Sequence, residues 1–312
     1  MAIVGIRRVT YGVHDFAAST RFYLDFGLVA DGDDESRCDF TLPDLSVVSL
    51  RKADDPELPA AFEAGPGVRQ LTWAVDTMQA LETFEKSLST DREVKRISGQ
   101  AISFVDDAGL PTILEVFTPR PVTSPADPLN APGRIERWNQ NRRWYAEAKP
   151  KMMQHIVFAH PDVRRAAAFY VNRLGFRISD IQDGGGFFLR ADGRNEHHNI
   201  FWQPGKSLSF RHIAFGVESI DEIMAGATNM NRNGWHSALG LGRHRISSTF
   251  FYYILNPAGG DAEYSSDTDY LDDTWVPRVW GRKFGHIWWV SRPRDEAPAE
   301  EVRLTRPEER VL

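Results

Sequence analysis

Apolar and polar residues alternate along this chain in short runs, interrupted by a few stretches with a period near 3.6, which is the pattern of strands broken by amphipathic helices. Ile6 to Val13 reads as a strand. Asp15 is placed to cap a helix beginning at Phe16, and Gly27 to close it. Strands are expected at Cys38 to Leu42, Leu45 to Leu50 and Arg69 to Val75, with a helix at Met78 to Lys86. Ala101 to Val105 and Thr112 to Phe117 form a hairpin around the turn Asp106 to Gly109.

The same order then recurs. Met153 to Ala159 is extended, Asp162 caps a helix from Val163 to Leu174, and Gly175 closes it. Phe187 to Ala191, His197 to Gln203 and Arg211 to Val217 read as strands, and Ile220 to Asn229 as a helix. From Arg243 to Tyr264 an aromatic, β-branched run, the turn Asn256 to Gly260 and a second extended piece predict a hairpin. His244 lies at one end of it, Tyr253 in its middle and Glu263 after its turn.

Local matches join the two series. Phe22 and Tyr23 answer Phe169 and Tyr170, and Val68 to Val75 answers Phe210 to Val217. A repeat of this length means a duplicated supersecondary unit. The expected fold is α+β: two domains, each a pair of βαβββ modules forming an open, barrel-like sheet. Boundaries are expected at residues 1–120, 121–150 for a linker rich in Pro, Asn and Arg, 151–292 for the second domain, and 293–312 for a charged tail.

Composition narrows the setting. A length of 312 residues accommodates two domains, and 42% hydrophobic with 26% charged residues describes a globular chain. A net charge of -6 gives no reason to expect nucleic acid or an anionic membrane as partner. No apolar run approaches a bilayer span. One cysteine, Cys38, permits no internal disulfide and fits a reducing cytoplasm; it reads as a small packing residue.

Of nine histidines, only His14 precedes residue 155. Position by position along the repeat, His155 stands against Arg8, His212 against Gln70, and Glu263 against Glu115. One half is thus expected to hold a metal with two imidazoles and a carboxylate, the other to have kept the sheet and lost the ligands. Two His and one carboxylate with open positions are the ligand set of mononuclear non-haem Fe(II) oxygenases. A structural zinc site would call for sulfur ligands.

His155, His212 and Glu263 in their local sequences resemble the metal ligands of the type I extradiol catechol dioxygenases, of the vicinal oxygen chelate superfamily. The stretches Ala168 to Phe176, Glu196 to His198, Leu241 to His244 and Trp275 to Val276 share the resemblance, which is densest from Met153 to Trp280. It implies Fe(II), with Mn(II) possible, a catecholic substrate and O2, and commonly a homo-oligomer. By position it implies that His198 is an acid/base group and that His244 and Tyr253 hydrogen-bond the substrate oxygens. One departure is Ser247, where close relatives carry Asp. His197, next to His198 on a regular strand, would face away from the cavity. Phe187, Phe188 and Trp202 could line an aromatic pocket but read better as core, and His160 and His236 read as surface or loop residues. Two competing readings are a metal-dependent glyoxalase-like isomerase or lyase of the same superfamily, which does not need His198, His244 and Tyr253, and a non-catalytic sequestering protein, which has no use for three convergent ligands.

Overall fold

The computed structural model describes residues 2–32, 34–281 and 287–291. The tail expected at 293–312 lies outside them. The first half runs β1 (Ile3–Val13), α1 (Phe16–Asp25), β2 (Ala30–Asp31), β3 (Arg37–Thr41), β4 (Val47–Lys52), β5 (Gly67–Val75), α2 (Met78–Leu88), β6 (Lys95–Ser98), β7 (Ala101–Val105) and β8 (Pro111–Val116). The second runs β9 (Met152–His160), α3 (Val163–Leu174), β10 (Arg177–Gln182), β11 (Gly186–Arg190), β12 (Ile200–Pro204), β13 (Ser209–Gly216), α4 (Ile220–Arg232), β14 (Ser237–His244), β15 (Phe250–Leu255), β16 (Asp261–Ser266), β17 (Arg278–Trp280) and β18 (Ile287–Val290). Each half is a βαβββ unit followed by another, as the repeat predicts.

The units pair through their first strands. β1 and β5 run antiparallel at the centre of the sheet β2-β3-β4-β1-β5-β8-β7-β6. The second sheet has the same plan around antiparallel β9 and β13, with β17 and β18 added at its edges. The helices start where the sequence placed their caps. The Asp15 side chain accepts from Ala18 N at 2.9 Å and that of Asp162 from Arg165 N at 3.0 Å. Gly175 ends α3 at φ 74°, a left-handed position that suits a residue without Cβ.

Strand alternation decides what each face carries. On β9, Ile156 and Phe158 join the main apolar core, while His155 and Val157 point the other way. The main core is continuous across both halves. Phe26 of the first half stacks on Tyr264 of the second at 4.0 Å between centroids, and Tyr264 OH donates to Phe26 O at 2.9 Å. Asn256 donates to Tyr23 OH at 3.0 Å and Trp235 Nε1 to Asp25 at 2.8 Å. The stretch between β8 and β9 is irregular; Arg142 and Arg143 tie it to Asp221 and Glu218 around the start of α4. Among the described residues no helix is long and apolar enough to cross a membrane.

Two expected elements differ. β12 begins at Ile200, so His197 and His198 precede the strand in a bend held by Asp269 O, which accepts from His197 N at 2.8 Å. The run from Arg243 is not one strand. β14 ends at His244 and β15 begins at Phe250, with a turn in which Ser247 and Ser248 both have positive φ, 75° and 55°. Aromatic and β-branched content marks strand propensity but not the reversal, because these serines replace the Gly or Asn that normally signals one.

Asp106 is buried at the junction of the halves and accepts from Ala108 N, Leu110 N and Tyr170 OH, with the Asp107 carboxylate nearby. Burial pushes its carboxyl up to about 6, against opposing hydrogen bonds. A carboxyl raised by folding binds its proton more tightly when folded. Its contribution is therefore complete below the unfolded value near 3.8 and is lost as pH rises through about 6. Urea denaturation from pH 4 to 7 should show wild type losing about 1–3 kcal/mol relative to Asp106→Asn over that interval. A difference independent of pH would contradict this.

Candidate metal centre

Three neighbouring strands supply the candidate ligands: His155 from β9, His212 from β13 and Glu263 from β16. In the ladders His155 pairs with Ala214, and Ala214 with Glu263, so all three belong to one patch of the sheet. Alternation places Ile213, Phe215, Ala262 and Tyr264 in the main core, leaving His212 and Glu263 on the opposite face with His155.

Their donor atoms converge. His155 Nε2 and His212 Nε2 lie 3.3 Å apart, and Glu263 Oε2 lies 3.3 Å from the first and 3.2 Å from the second. Glu263 is fully buried, yet neither carboxylate oxygen meets an aligned hydrogen-bond donor among the described residues. A buried carboxylate left so is costly. Burial alone raises the Glu263 carboxyl, but the two imidazoles more than reverse this and hold it well below the usual carboxylate range. Burial pushes His212 down, against the pull of Glu263. An ionised carboxylate facing a neutral imidazole is the protonation state that metal ligation needs. A first-row ion about 2.0–2.2 Å from each donor fits a triangle of this size, so the residues fit a divalent metal. His212 keeps 17% of its side-chain exposure, against 5% for His155 and none for Glu263.

The other expected residues gather beside this triad. The His198 ring lies 4.1 Å from that of His155 at 35°. Burial pushes His198 well below the ordinary histidine value, reinforced by His155, His197, His244 and His212. It is therefore a neutral imidazole. Tyr253 pairs with Glu263 across β15 and β16, and its ring lies 4.9 Å from that of His212. His244 Nε2 sits 3.1 Å from Tyr253 OH. Burial raises the Tyr253 hydroxyl, and the Glu263 charge adds to it, so it remains a neutral hydrogen-bonding group. Ser247 bonds Thr249 Oγ1 at 2.9 Å and its carbonyl accepts from Asp269 N at 2.9 Å, fixing the turn after His244.

An apolar wall continues from the triad. Phe188, Phe201, Val157 and Ile246 form a buried cluster apart from the main core, with Trp280 packed against it. Phe188 lies 5.0 Å from His198. Trp202 and Phe187 join the main core, as expected, but Phe188 does not. Val157 two residues after His155 is the signal that could have found this wall, since residues i and i+2 share a face. Arg190 donates to the carbonyls of Arg194 and Asp272, and Arg243 to Asp267.

The repeat is in register for two ligands and not the third. Arg8 pairs with Thr72 and Thr72 with Ile113, the counterparts of His155, Ala214 and Glu263. Glu263 therefore corresponds to Ile113 rather than Glu115, which instead ion-pairs with Arg7 at 3.4 Å. The turns before β8 and β16 are equally long, and Ile113 and Glu263 each stand four residues after the matching Gly109 and Gly259; pairing by residue type picked Glu115, two positions further along β8. Arg8 ion-pairs with Asp39 at 2.7 Å.

Residues 152–264 match the model of the Glyoxalase/Bleomycin resistance protein/Dioxygenase superfamily. Metapyrocatechase 2 of Cupriavidus necator is 32% identical over 157 residues, 48% of this chain and 48% of that one. The match thus spans about half the length of such curated relatives. The crystal structure of the Mn(II)-bound glyoxalase from Novosphingobium aromaticivorans superposes with a TM-score of 0.72 at 26% identity, covering 90% of this chain and 88% of that one. The 2,3-dioxygenase LapB from Pseudomonas sp. KL28 shares the fold, with a TM-score of 0.70 at 20% identity over 90% and 98% of the two chains.

The three ligands are expected to act as a unit. His155→Ala or Glu263→Ala should each abolish stoichiometric binding of Fe(II) or Mn(II), measured as metal retained after desalting. Glu115→Ala should leave it unchanged. Retention by Glu263→Ala would show that the metal lies elsewhere.

Proposed function

From a chain whose C-terminal half carries a Glyoxalase/Bleomycin resistance protein/Dioxygenase superfamily domain, we propose that the protein is an extradiol dioxygenase. It inserts both atoms of O2 into a catechol and opens the ring beside the diol. The observation that carries this reading is the convergence of His155, His212 and Glu263 on one face, with His198, His244 and Tyr253 beside them. We assign Fe(II) to the triad, with Mn(II) as the other candidate. The unit is residues 151–292, behind an N-terminal domain of residues 1–120 and a linker of 121–150. The single cysteine, Cys38, fits a reducing cytoplasm, and the family resemblance implies a homo-oligomer.

When bound, the metal would hold the diol and O2 together and let electron density pass between them. The chain's own residues then have three tasks. Tyr253 and His244, already hydrogen-bonded to each other, fix a substrate oxygen and favour its anionic form. His198, neutral and buried, takes or returns a proton at the reacting oxygens without carrying a charge beforehand. Phe188, Phe201, Val157 and Ile246 exclude water and offer an apolar seat for a ring substituent. Arg190 and Arg243 are already engaged within the protein, by the carbonyl of Arg194 and the carboxylate of Asp267.

A glyoxalase-like isomerase is the second reading, supported by the likeness to the Mn(II)-bound glyoxalase. Residues His198, His244 and Tyr253 around the triad favour ring cleavage over it. The discriminating experiment mixes anaerobically iron-loaded protein with catechol or 2,3-dihydroxybiphenyl in air. Oxygen uptake with a new visible absorption is expected. Bound metal without oxygen uptake across a catechol panel would favour the isomerase. His198→Phe should keep the metal and lose about 10²–10⁴-fold in kcat. A fully active His198→Phe would remove His198 from the mechanism.

A further inference from the structure

Behind His198 lies a buried polar chain that ring cleavage alone does not explain. Asp180 on β10 is 1% exposed and His197 fully buried. The Asp180 carboxylate accepts from Arg278 N at 2.8 Å through Oδ1 and from Trp280 Nε1 at 2.7 Å through Oδ2. His197 Nε2 sits 3.3 Å from the same Oδ2. The other ring nitrogen of His197, Nδ1, sits 3.1 Å from His198 Nδ1. The His198 ring in turn lies against His155.

The hydrogens along this chain follow from counting donors and acceptors. Arg278 N and Trp280 Nε1 can only donate, so the carboxylate is the acceptor on both oxygens. Its contact with His197 Nε2 is satisfied when Nε2 carries the hydrogen. With His197 as the neutral imidazole, its single N–H sits on Nε2 and Nδ1 is a lone pair. That lone pair faces His198 Nδ1, which must then supply the hydrogen. Nε2 of His198 is left as an acceptor, the one free ring nitrogen. A carboxylate behind a histidine sets tautomers in this way wherever the second ring nitrogen is needed for work.

We infer that Asp180 and His197 are positioning residues that fix His198 as the Nδ1–H tautomer, with its Nε2 lone pair presented to the substrate hydroxyl. The inference rests on the ring-cleavage reading for the role of that lone pair, but not for its existence. Trp280 belongs to the same device. It anchors Asp180 while packing against the apolar wall, so β17 fixes both the seat and the acid/base group.

The test reads tautomers directly, in the full chain loaded with diamagnetic Zn(II). Histidine ¹⁵N shifts separate the two neutral tautomers, and the His198 signals are assigned by their loss in His198→Phe. Wild type should give His198 as Nδ1–H. His197→Phe should relax it toward Nε2–H at unchanged zinc content. In the iron-loaded enzyme, His197→Phe should lower kcat at least about tenfold with KM unchanged. His197→Asn places a side-chain carbonyl where Nδ1 stood and should recover most of that loss, although it fills the cavity less well than Phe. A purely structural role would reverse that ranking. An Nε2–H tautomer in wild type, a tautomer unmoved by His197→Phe, or an Asn variant no better than Phe would overturn the inference. Absence of ring cleavage in wild type overturns the functional reading alone, because the tautomer is read without turnover.

Discussion

One buried carboxylate governs the architecture of the second half. Glu263 is fully enclosed, its oxygens lack aligned donors among the described residues, and two imidazoles stand at ion-pair distance from it. Isolated in a protein interior, such a charge is costly. A divalent ion shared with His155 and His212 would remove that cost and would account for the convergence. The ligands come from three adjacent strands whose far faces are locked into the common core. The core thereby fixes the spacing of the donors before any ion arrives, which is the preorganisation a metal site needs.

The duplicated sheet shows how one scaffold separates support from chemistry. In the first half the corresponding positions hold Arg8, Gln70 and Ile113, and Arg8 ion-pairs with Asp39. This half supplies instead Phe22, Tyr23, Phe26 and Trp73 to a core shared with the second. The stacking of Phe26 on Tyr264 places a first-half ring directly behind the strand that carries Glu263. Aromatic pairs of this kind contribute about 0.5–1.5 kcal/mol beyond the area they bury. The first half therefore acts on the candidate site through packing.

Around the triad, charge is kept low. His198 is held neutral by burial and by the neighbouring histidines, and Tyr253 by burial and the Glu263 charge. Polar groups there are organised by contact rather than by net charge: His244 with Tyr253, His198 with His197, His197 with Asp180. The turn after His244 is held by Ser247, Thr249 and Thr268 through hydroxyl contacts. A set of neutral, mutually oriented groups suits a reaction whose charge changes are centred on a bound ion.

The chain itself determined the module order, the caps at Asp15 and Asp162, the glycine stop at Gly175 and the three candidate ligands. These depend on local periodicity, on capping chemistry and on a residue type set that suits a divalent metal. It also placed His198, His244 and Tyr253 near the ligands through family resemblance. Tertiary structure alone decided the rest. Matching by residue type set Glu115 against Glu263, whereas the strand ladders, with turns of equal length, make Ile113 the counterpart. His197 was assigned to the far face of a strand that begins only at Ile200; in a bend, alternation no longer applies, and the ring turns toward Asp180. The Asp180 contact spans 17 residues and that of Trp280 spans 100. No local pattern records such pairings, because they exist only once the edge strand has closed against the sheet.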